Sequence, residues 1–345
     1  MPRCASNNVL PIVRELTMGE AIGFTLGKYS PFHKGHEFLI KVALSEMNRV
    51  IVIIYNASEV TSIPTEIRAN WIRKIFPMVE VLIAEDGPQM VGYSDEVKRV
   101  HEDYLTHFLK DYHIHSFYSS EPYGEHISQA LNCVNRIVDP NRNNCPVSAT
   151  DIRANVIKYK HMVSDIVYQD IKPKIVFIGG PSSGKTTLAK LCSEKLQGDY
   201  CPEYGRTYWF EHQKNHRLSI RDLEVIAERQ LESEVKASCG SGDRLFLDTT
   251  IITTLAYALY YFGKASSNLL ELFTRSLYTH SIYLLCLNDI PFEDTWDRSG
   301  PGSREELQQL NFDLLDKYRI EYQVIGGSLA ERVSAVQNIL EENQL

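Results

Sequence analysis

Val50–Tyr55 reads Val-Ile-Val-Ile-Ile-Tyr, six positions without a charged or amide side chain. A strand that faces water on one side alternates apolar and polar residues. An unbroken β-branched run suits a strand buried on both faces, as in a parallel sheet between two helix layers. The surrounding sequence repeats this grammar. Ala21–Leu26, Val79–Ala84, Ser116–Ser119 and Arg136–Val138 read as further strands, and Lys34–Met47, Pro64–Phe76 and Ser94–Leu109 as helices. Such alternation predicts an α/β fold with a parallel sheet.

The pattern restarts at Lys174. Strands are expected over Lys174–Ile178, Leu245–Asp248, Ile282–Leu287 and Tyr322–Ile325. Helices are expected over Lys185–Gln197, Glu203–His212, Ser219–Ser238, Ile251–Phe262, Ser266–Tyr278, Arg304–Tyr318 and Leu329–Glu342. Pro173 cannot continue the helix before it, so the expected boundary lies near 168–173. Residues 21–170 then form a Rossmann-like three-layer domain and 171–345 a second one, which suits a chain of 345 residues. Residues 1–20 show no periodicity and read as a flexible lead-in, too short for a helix-turn-helix module.

Charge narrows the partners. The formal net charge is −8, and neither half is basic: 17 basic against 20 acidic residues up to residue 170, and 19 against 24 beyond it. A polyanion must therefore be held by a local constellation, and DNA binding is not expected. No apolar run reaches the roughly 18 residues of a membrane span, and the expectation is a soluble, cytoplasmic protein. Seven scattered cysteines without a C-x-x-C pair argue against a zinc ladder or a disulfide scaffold.

Three strings carry chemistry. Gly27-Lys28-Tyr29-Ser30-Pro31-Phe32-His33-Lys34-Gly35-His36 joins an expected strand to an expected helix. Its glycines admit a phosphate close to the backbone, the helix N-terminus favours negative charge, and two histidines share the first turn. It resembles the G-x-F-x-P-x-H-x-G-H signature of nucleotidylyltransferases, with Tyr29 in the aromatic slot. Val147-Ser148-Ala149-Thr150-Asp151-Ile152-Arg153 resembles their second signature, [IV]-S-x-T-x-[IV]-R. That resemblance implies attack of a substrate phosphate on the α-phosphorus of ATP, with His33 and His36 stabilising the pentavalent centre. Lys28, Arg153 and the backbone of Ser148, Ala149 and Thr150 would hold the β and γ phosphates, with Mg²⁺ bridging.

Gly179-Gly180-Pro181-Ser182-Ser183-Gly184-Lys185-Thr186-Thr187 satisfies G-x-x-x-x-G-K-[ST] between a strand and a helix. Backbone amides would cradle phosphates, Lys185 would reach the β/γ oxygens, and Thr186 with Asp248 would ligate Mg²⁺. A strand-terminal acid such as Asp248 serves equally as a helix cap. Residues 291–304 suit a lid whose Arg298 and Arg304 reach the transferred phosphoryl group, or equally a solvated loop.

Both sites in one chain, in this order, make it similar to the NadR family of nicotinamide-nucleotide (NMN) adenylyltransferase/ribosylnicotinamide kinases. Further family-like strings are Arg68 with Trp71, Ser119–Gly124, Val138–Arg142 and Glu203-Tyr204-Gly205-Arg206. The resemblance implies phosphorylation of nicotinamide riboside to NMN by the second half and adenylylation of NMN to NAD by the first. ATP would be co-substrate of both, and Arg68, Trp71, Arg206 and Trp209 substrate contacts. Relatives often read Asp-Thr-Asp where this chain has Asp248-Thr249-Thr250. Glu203 is then the candidate base, with a structural Glu203–Arg206 pair as the alternative. Trp209, Tyr208 and Tyr257 could stack on a nicotinamide ring or fill the core. A pantetheine-phosphate adenylyltransferase/dephospho-coenzyme A kinase fusion, and an adenylyltransferase whose second half only senses nucleotide, are the competing readings. The number of chains that assemble, a homo-oligomer included, is left open.

Overall fold

The computed structural model describes residues 21–90, 92, 94–121, 124–213, 218–277, 281–292 and 301–345. The expected lead-in at 1–20 and the lid residue Arg298 lie outside these.

The first half builds β1 (Ile22–Gly27), α1 (Lys34–Glu46), β2 (Arg49–Tyr55), α2 (Thr65–Ile75), β3 (Glu80–Ala84), α3 (Asp95–Phe108), β4 (Ile114–Ser119), α4 (Gly124–Ala130), β5 (Val134–Ile137), α5 (Ala149–Ala154) and α6 (Asp165–Ile171). Its five strands are parallel, in the order β3-β2-β1-β4-β5. The second half builds β6 (Lys174–Ile178), α7 (Lys185–Lys195), β7 (Asp199–Cys201), α8 (Tyr204–His212), α9 (Ile220–Ser238), β8 (Leu245–Leu247), α10 (Ile251–Phe262), α11 (Ser267–Ser276), β9 (Ser281–Cys286), α12 (Pro301–Lys317), β10 (Tyr322–Ile325) and α13 (Leu329–Glu342). These strands are also parallel, in the order β10-β9-β6-β8-β7.

The expected α/β architecture is what the chain adopts, and β2 shows why. Val50, Val52 and Ile54 enter one apolar cluster, while Ile51, Ile53 and Tyr55 enter the cluster on the opposite face. In β6, Val176 and Ile178 are likewise separated from Ile175 and Phe177. Serine sets several helix starts: the hydroxyls of Ser94, Ser148, Ser219, Ser266 and Ser328 each accept an N–H from the first turn. In the first sheet the chain runs outward from β1 to β3 and then crosses to β4; in the second it runs from β6 to the edge strand β7, returns to β8 and then crosses to β9, so in both the direction of the connections reverses beside the first strand. Ligands bind outside the carboxyl ends of the strands at such points.

The halves meet along α6. Lys172, 1% exposed, donates to Asp199 Oδ2 at 2.7 Å and to the Gly240 carbonyl at 2.8 Å. Tyr168 donates to the Asp243 carbonyl at 2.7 Å, and Lys160 pairs with the Asp243 carboxylate at 2.8 Å. Among the described residues no helix is long and apolar enough to cross a membrane.

Lys172 is buried and Asp199 half-buried, so removing the lysine leaves a partly desolvated carboxylate without its partner. Lys172→Met is expected to destabilise the chain by about 3 kcal/mol in urea unfolding; a change below about 1 kcal/mol would contradict a bracing role.

Candidate active sites

The first site is a cavity of about 680 Å³ at the carboxyl edge of the first sheet. Its lining joins Gly27, Lys28, Tyr29, His33 and His36 after β1 to Ser148, Ala149, Thr150 and Arg153 of α5. The expected pairing of the histidines with Arg153 is thus present, across more than a hundred residues of sequence. His33 is the N-cap of α1. Its Nδ1 accepts the Gly35 N–H at 3.1 Å, and His36 Nδ1 accepts the His33 N–H at 3.3 Å. The two rings stack at 3.7 Å. A Cβ at Gly35 would lie 2.9 Å from the His33 ring, so this turn needs glycine.

The cap decides the chemistry of the pair. A nitrogen that accepts an N–H carries no proton, so each ring is neutral with its proton on Nε2. Burial agrees: it pushes His33 down to about 4, with Arg142 adding to the effect, and holds His36 well below the usual range. The pair presents two N–H donors and no net charge.

Around it the cavity is braced. Ser148 and Asp151 cap one another: the Asp151 N–H donates to Ser148 Oγ at 3.1 Å, and Asp151 Oδ2 accepts from the Ser148 N–H at 2.9 Å. The Ser148 hydroxyl is therefore committed within the turn. Arg153 donates to the Ser30 carbonyl and, at 3.0 Å, to Thr150 Oγ1, tying α5 to the β1–α1 loop. Lys28 is ion-paired with Glu59. Tyr29 is buried and packs edge-on to His36 at 4.9 Å.

Two expected substrate contacts are corrected. Arg68 is 1% exposed and donates to the carbonyls of Ile63, Lys28 and Tyr55 and to Thr65 Oγ1. Trp71 is buried with its Nε1–H on Asp170 at 2.6 Å. Neither lines the cavity. An apolar helix face carried both inward, and the guanidinium is consumed by backbone acceptors. Tyr55, His101 and Arg142 do line it; the strings near them were visible, but not their direction.

The second site, about 480 Å³, lies at the carboxyl edge of the second sheet. Pro181–Thr187, Glu203, Arg206, Trp209 and Tyr257 line it. Gly184 sits at φ 84° as the N-cap of α7, so the phosphate loop turns directly into a helix with unpaired N–H groups. Lys185 Nζ rests on the carbonyls of Gly179 and Gly180, at 3.0 and 2.9 Å. Those two glycines form the back of the loop: a Cβ at Gly179 would meet the Cys286 carbonyl at 2.6 Å, and the Gly180 N–H is taken by Gln308 Oε1 at 2.6 Å.

Arg304 is also corrected. Its guanidinium is buried behind the loop, donating to the carbonyls of Ser182 and Ile290 at 3.1 and 2.8 Å. It braces the loop and does not reach into the cavity. Arg332 of α13, 2% exposed, does the same for Ser183 at 2.7 Å and is ion-paired with Asp289.

Asp248 follows β8, buried beside Thr186, and its Oδ2 accepts from the Tyr200 hydroxyl at 3.4 Å. Burial raises its carboxyl and Lys185 opposes that. Its Oδ1 has no partner among the described residues, an orphan acceptor next to a hydroxyl that fits a divalent cation shared with phosphate oxygens. Thr250 turns away from the cavity and donates to Oε1 of buried Glu234 at 3.1 Å. Tyr208 is core, donating to Asp222 at 2.7 Å.

Residues 24–155 match the cytidylyltransferase-like family model, and residues 174–332 the AAA domain model. The chain thus joins a nucleotidylyltransferase-like domain to a P-loop, kinase-like domain. Over 329 residues it is 25% identical to the trifunctional NAD biosynthesis/regulator protein NadR of Escherichia coli (strain K12), covering 88% of this chain and 78% of that protein. The NadR of Salmonella typhimurium (strain LT2) is also 25% identical, over 87% and 78%. Crystal structures of NadR with NAD and AMP-PNP, and with NR, superpose with a TM-score of 0.65 at 18% and 20% identity, over 95% of this chain and 97% of theirs. The chain is a homologue of the NadR proteins.

Both His33 and His36 should keep unprotonated Nδ1 atoms from pH 8 down to 5, read as unchanged imidazole shifts by NMR; a titration near 6.5 would contradict the cap. Thr250→Asp would set a second carboxylate against buried Glu234 and should destabilise by about 2–4 kcal/mol in urea unfolding, whereas a loss under about 0.5 kcal/mol would place residue 250 in solvent.

Proposed function

We propose that the chain makes NAD in two steps at two separate sites. The convergence of His33, His36 and Arg153 on one cavity, with a phosphate loop at the other, carries this reading. Solved NadR proteins hold NAD with AMP-PNP, and NR, on the same fold, which supports it.

At the first site an NMN phosphate oxygen attacks the α-phosphorus of ATP, and the bond to the β-phosphate breaks to release pyrophosphate. No covalent enzyme intermediate is required, so the protein's part is alignment and stabilisation of developing charge. The Nε2–H groups of His33 and His36 donate to the pentavalent centre. Arg153, Lys28 and the Ala149–Thr150 amides hold the β and γ phosphates. The imidazoles begin and end neutral, so they act as donors and not as acids.

At the second site the 5′-hydroxyl of nicotinamide riboside attacks the γ-phosphorus of a second ATP. Lys185 moves from the loop carbonyls to the β/γ oxygens, and the amides of residues 182–187 wrap the phosphates. Glu203, at the head of α8 and on the cavity wall, accepts the hydroxyl proton. Mg²⁺ would be held by the Thr186 hydroxyl and Asp248 and would neutralise charge on the transferred group. Arg206 and Trp209 stand on the acceptor side. Since Thr250 faces Glu234, a non-acidic residue at 250 takes no ligand from this cavity, and a kinase is favoured over a nucleotide sensor.

Separate sites should fail separately. Lys185→Ala should abolish ADP formation from nicotinamide riboside and leave NMN adenylylation within twofold. His36→Ala should do the reverse, costing about 2–4 kcal/mol of barrier, or 30- to 1,000-fold in rate. Equal loss of both activities in either variant would overturn the assignment.

A further inference from the structure

The polyphosphate at the first site brings several negative charges, and the residues read from sequence supply few free positive ones. The imidazole pair is neutral by its hydrogen bonds. Lys28 is paired with Glu59. Arg153 keeps its charge, but two of its donors are committed to Ser30 and Thr150.

Arg142 stands on the same cavity wall and has not been given a role. Among the described residues its ionic neighbour is Glu121, at 3.8 Å, with the Arg142 side chain 45% exposed. The loop that carries it is built at some cost. Asp139 and Arg142 sit at φ 49° and 53°, left-handed conformations that disfavour side chains. The Asp139 carboxylate holds the loop by accepting the N–H groups of Asn143, Asn144 and Cys145 at 2.8, 3.0 and 3.2 Å. The Arg142 N–H closes the turn on the Asp139 carbonyl at 2.9 Å. Three charge-assisted bonds hold the backbone of this segment, and the Arg142 it carries lines the cavity. Its field reaches both ends of the site: it depresses His33 and His36 on α1 and steadies the Asp151 carboxylate at the head of α5.

We propose that Arg142 is a phosphate-binding residue of the first site, exchanging Glu121 for the β and γ phosphates that depart as pyrophosphate, and that the Asp139-held turn is the device that presents it. This rests on the adenylyl-transfer reading.

The test is steady-state kinetics on the full chain in both directions. Arg142→Ala should raise KM for ATP in the forward reaction, and for pyrophosphate in the reverse, by tenfold or more. KM for NMN and NAD should move less than twofold, and Arg142→Lys should recover part of the loss. Kinase turnover at the second site and the thermal midpoint should not change. A rise confined to KM for NMN, or no rise in any KM, would overturn the proposal. If the unaltered chain forms no NAD, the adenylyl reading fails by itself. Calorimetric titration with inorganic pyrophosphate then decides on Arg142: weaker binding by Arg142→Ala upholds it, and equal binding overturns it.

Discussion

A parallel strand that hands its chain to a helix leaves unpaired N–H groups at the carboxyl edge of the sheet. Both sites of this protein are answers to that one constraint. After β1 the N–H groups of His33 and Gly35 are satisfied by imidazole nitrogens, and the price of that cap is that neither ring can hold a second proton on Nδ1. The Nε2–H groups are thereby the donors left to a ligand. After β6 no side chain caps the start of α7, and the N–H groups of that first turn are left to a phosphate. One edge offers imidazole donors and the other offers backbone.

An open cradle needs support from behind, because backbone amides bind anions well only when already pointed at them. Arg304, Gln308 and Arg332 supply it, and all three come from chain more than a hundred residues beyond the loop. The positive charges of the two arginines lie beneath the loop and not across the cavity from it. The lysine tip rests on the carbonyls of Gly179 and Gly180, within its own loop. Arg68 does similar service in the first half, pinning the carbonyls of Lys28 and Tyr55 at the cavity floor.

What was legible in the sequence follows from this. The alternating pattern and the strings at 27–36 and 179–187 act through backbone geometry that glycine, proline and helix starts encode locally, so they read correctly. Elements whose existence depends on their neighbours did not. The three-residue strand Asp199–Cys201 is a strand because it lies beside β8, and its residues alone say little. Arginine direction was the least legible feature: Arg68, Arg304 and Arg142 are alike on paper, yet two are spent on carbonyls and one faces a cavity. Residue 250 behaves the same way, since only the position of α9 reveals that Thr250 answers Glu234.

The claim that binds all this together is that two unlike cradles in one chain act in sequence on one pyridine nucleoside. Incubating the purified protein with nicotinamide riboside and excess ATP, and following every product with time, addresses it directly. The account predicts NMN that rises first and is then consumed, NAD accumulating behind it, with ADP and pyrophosphate released in equal amounts once conversion is complete. Absence of NAD when NMN itself is supplied, or turnover of dephospho-coenzyme A in place of the riboside, would contradict it.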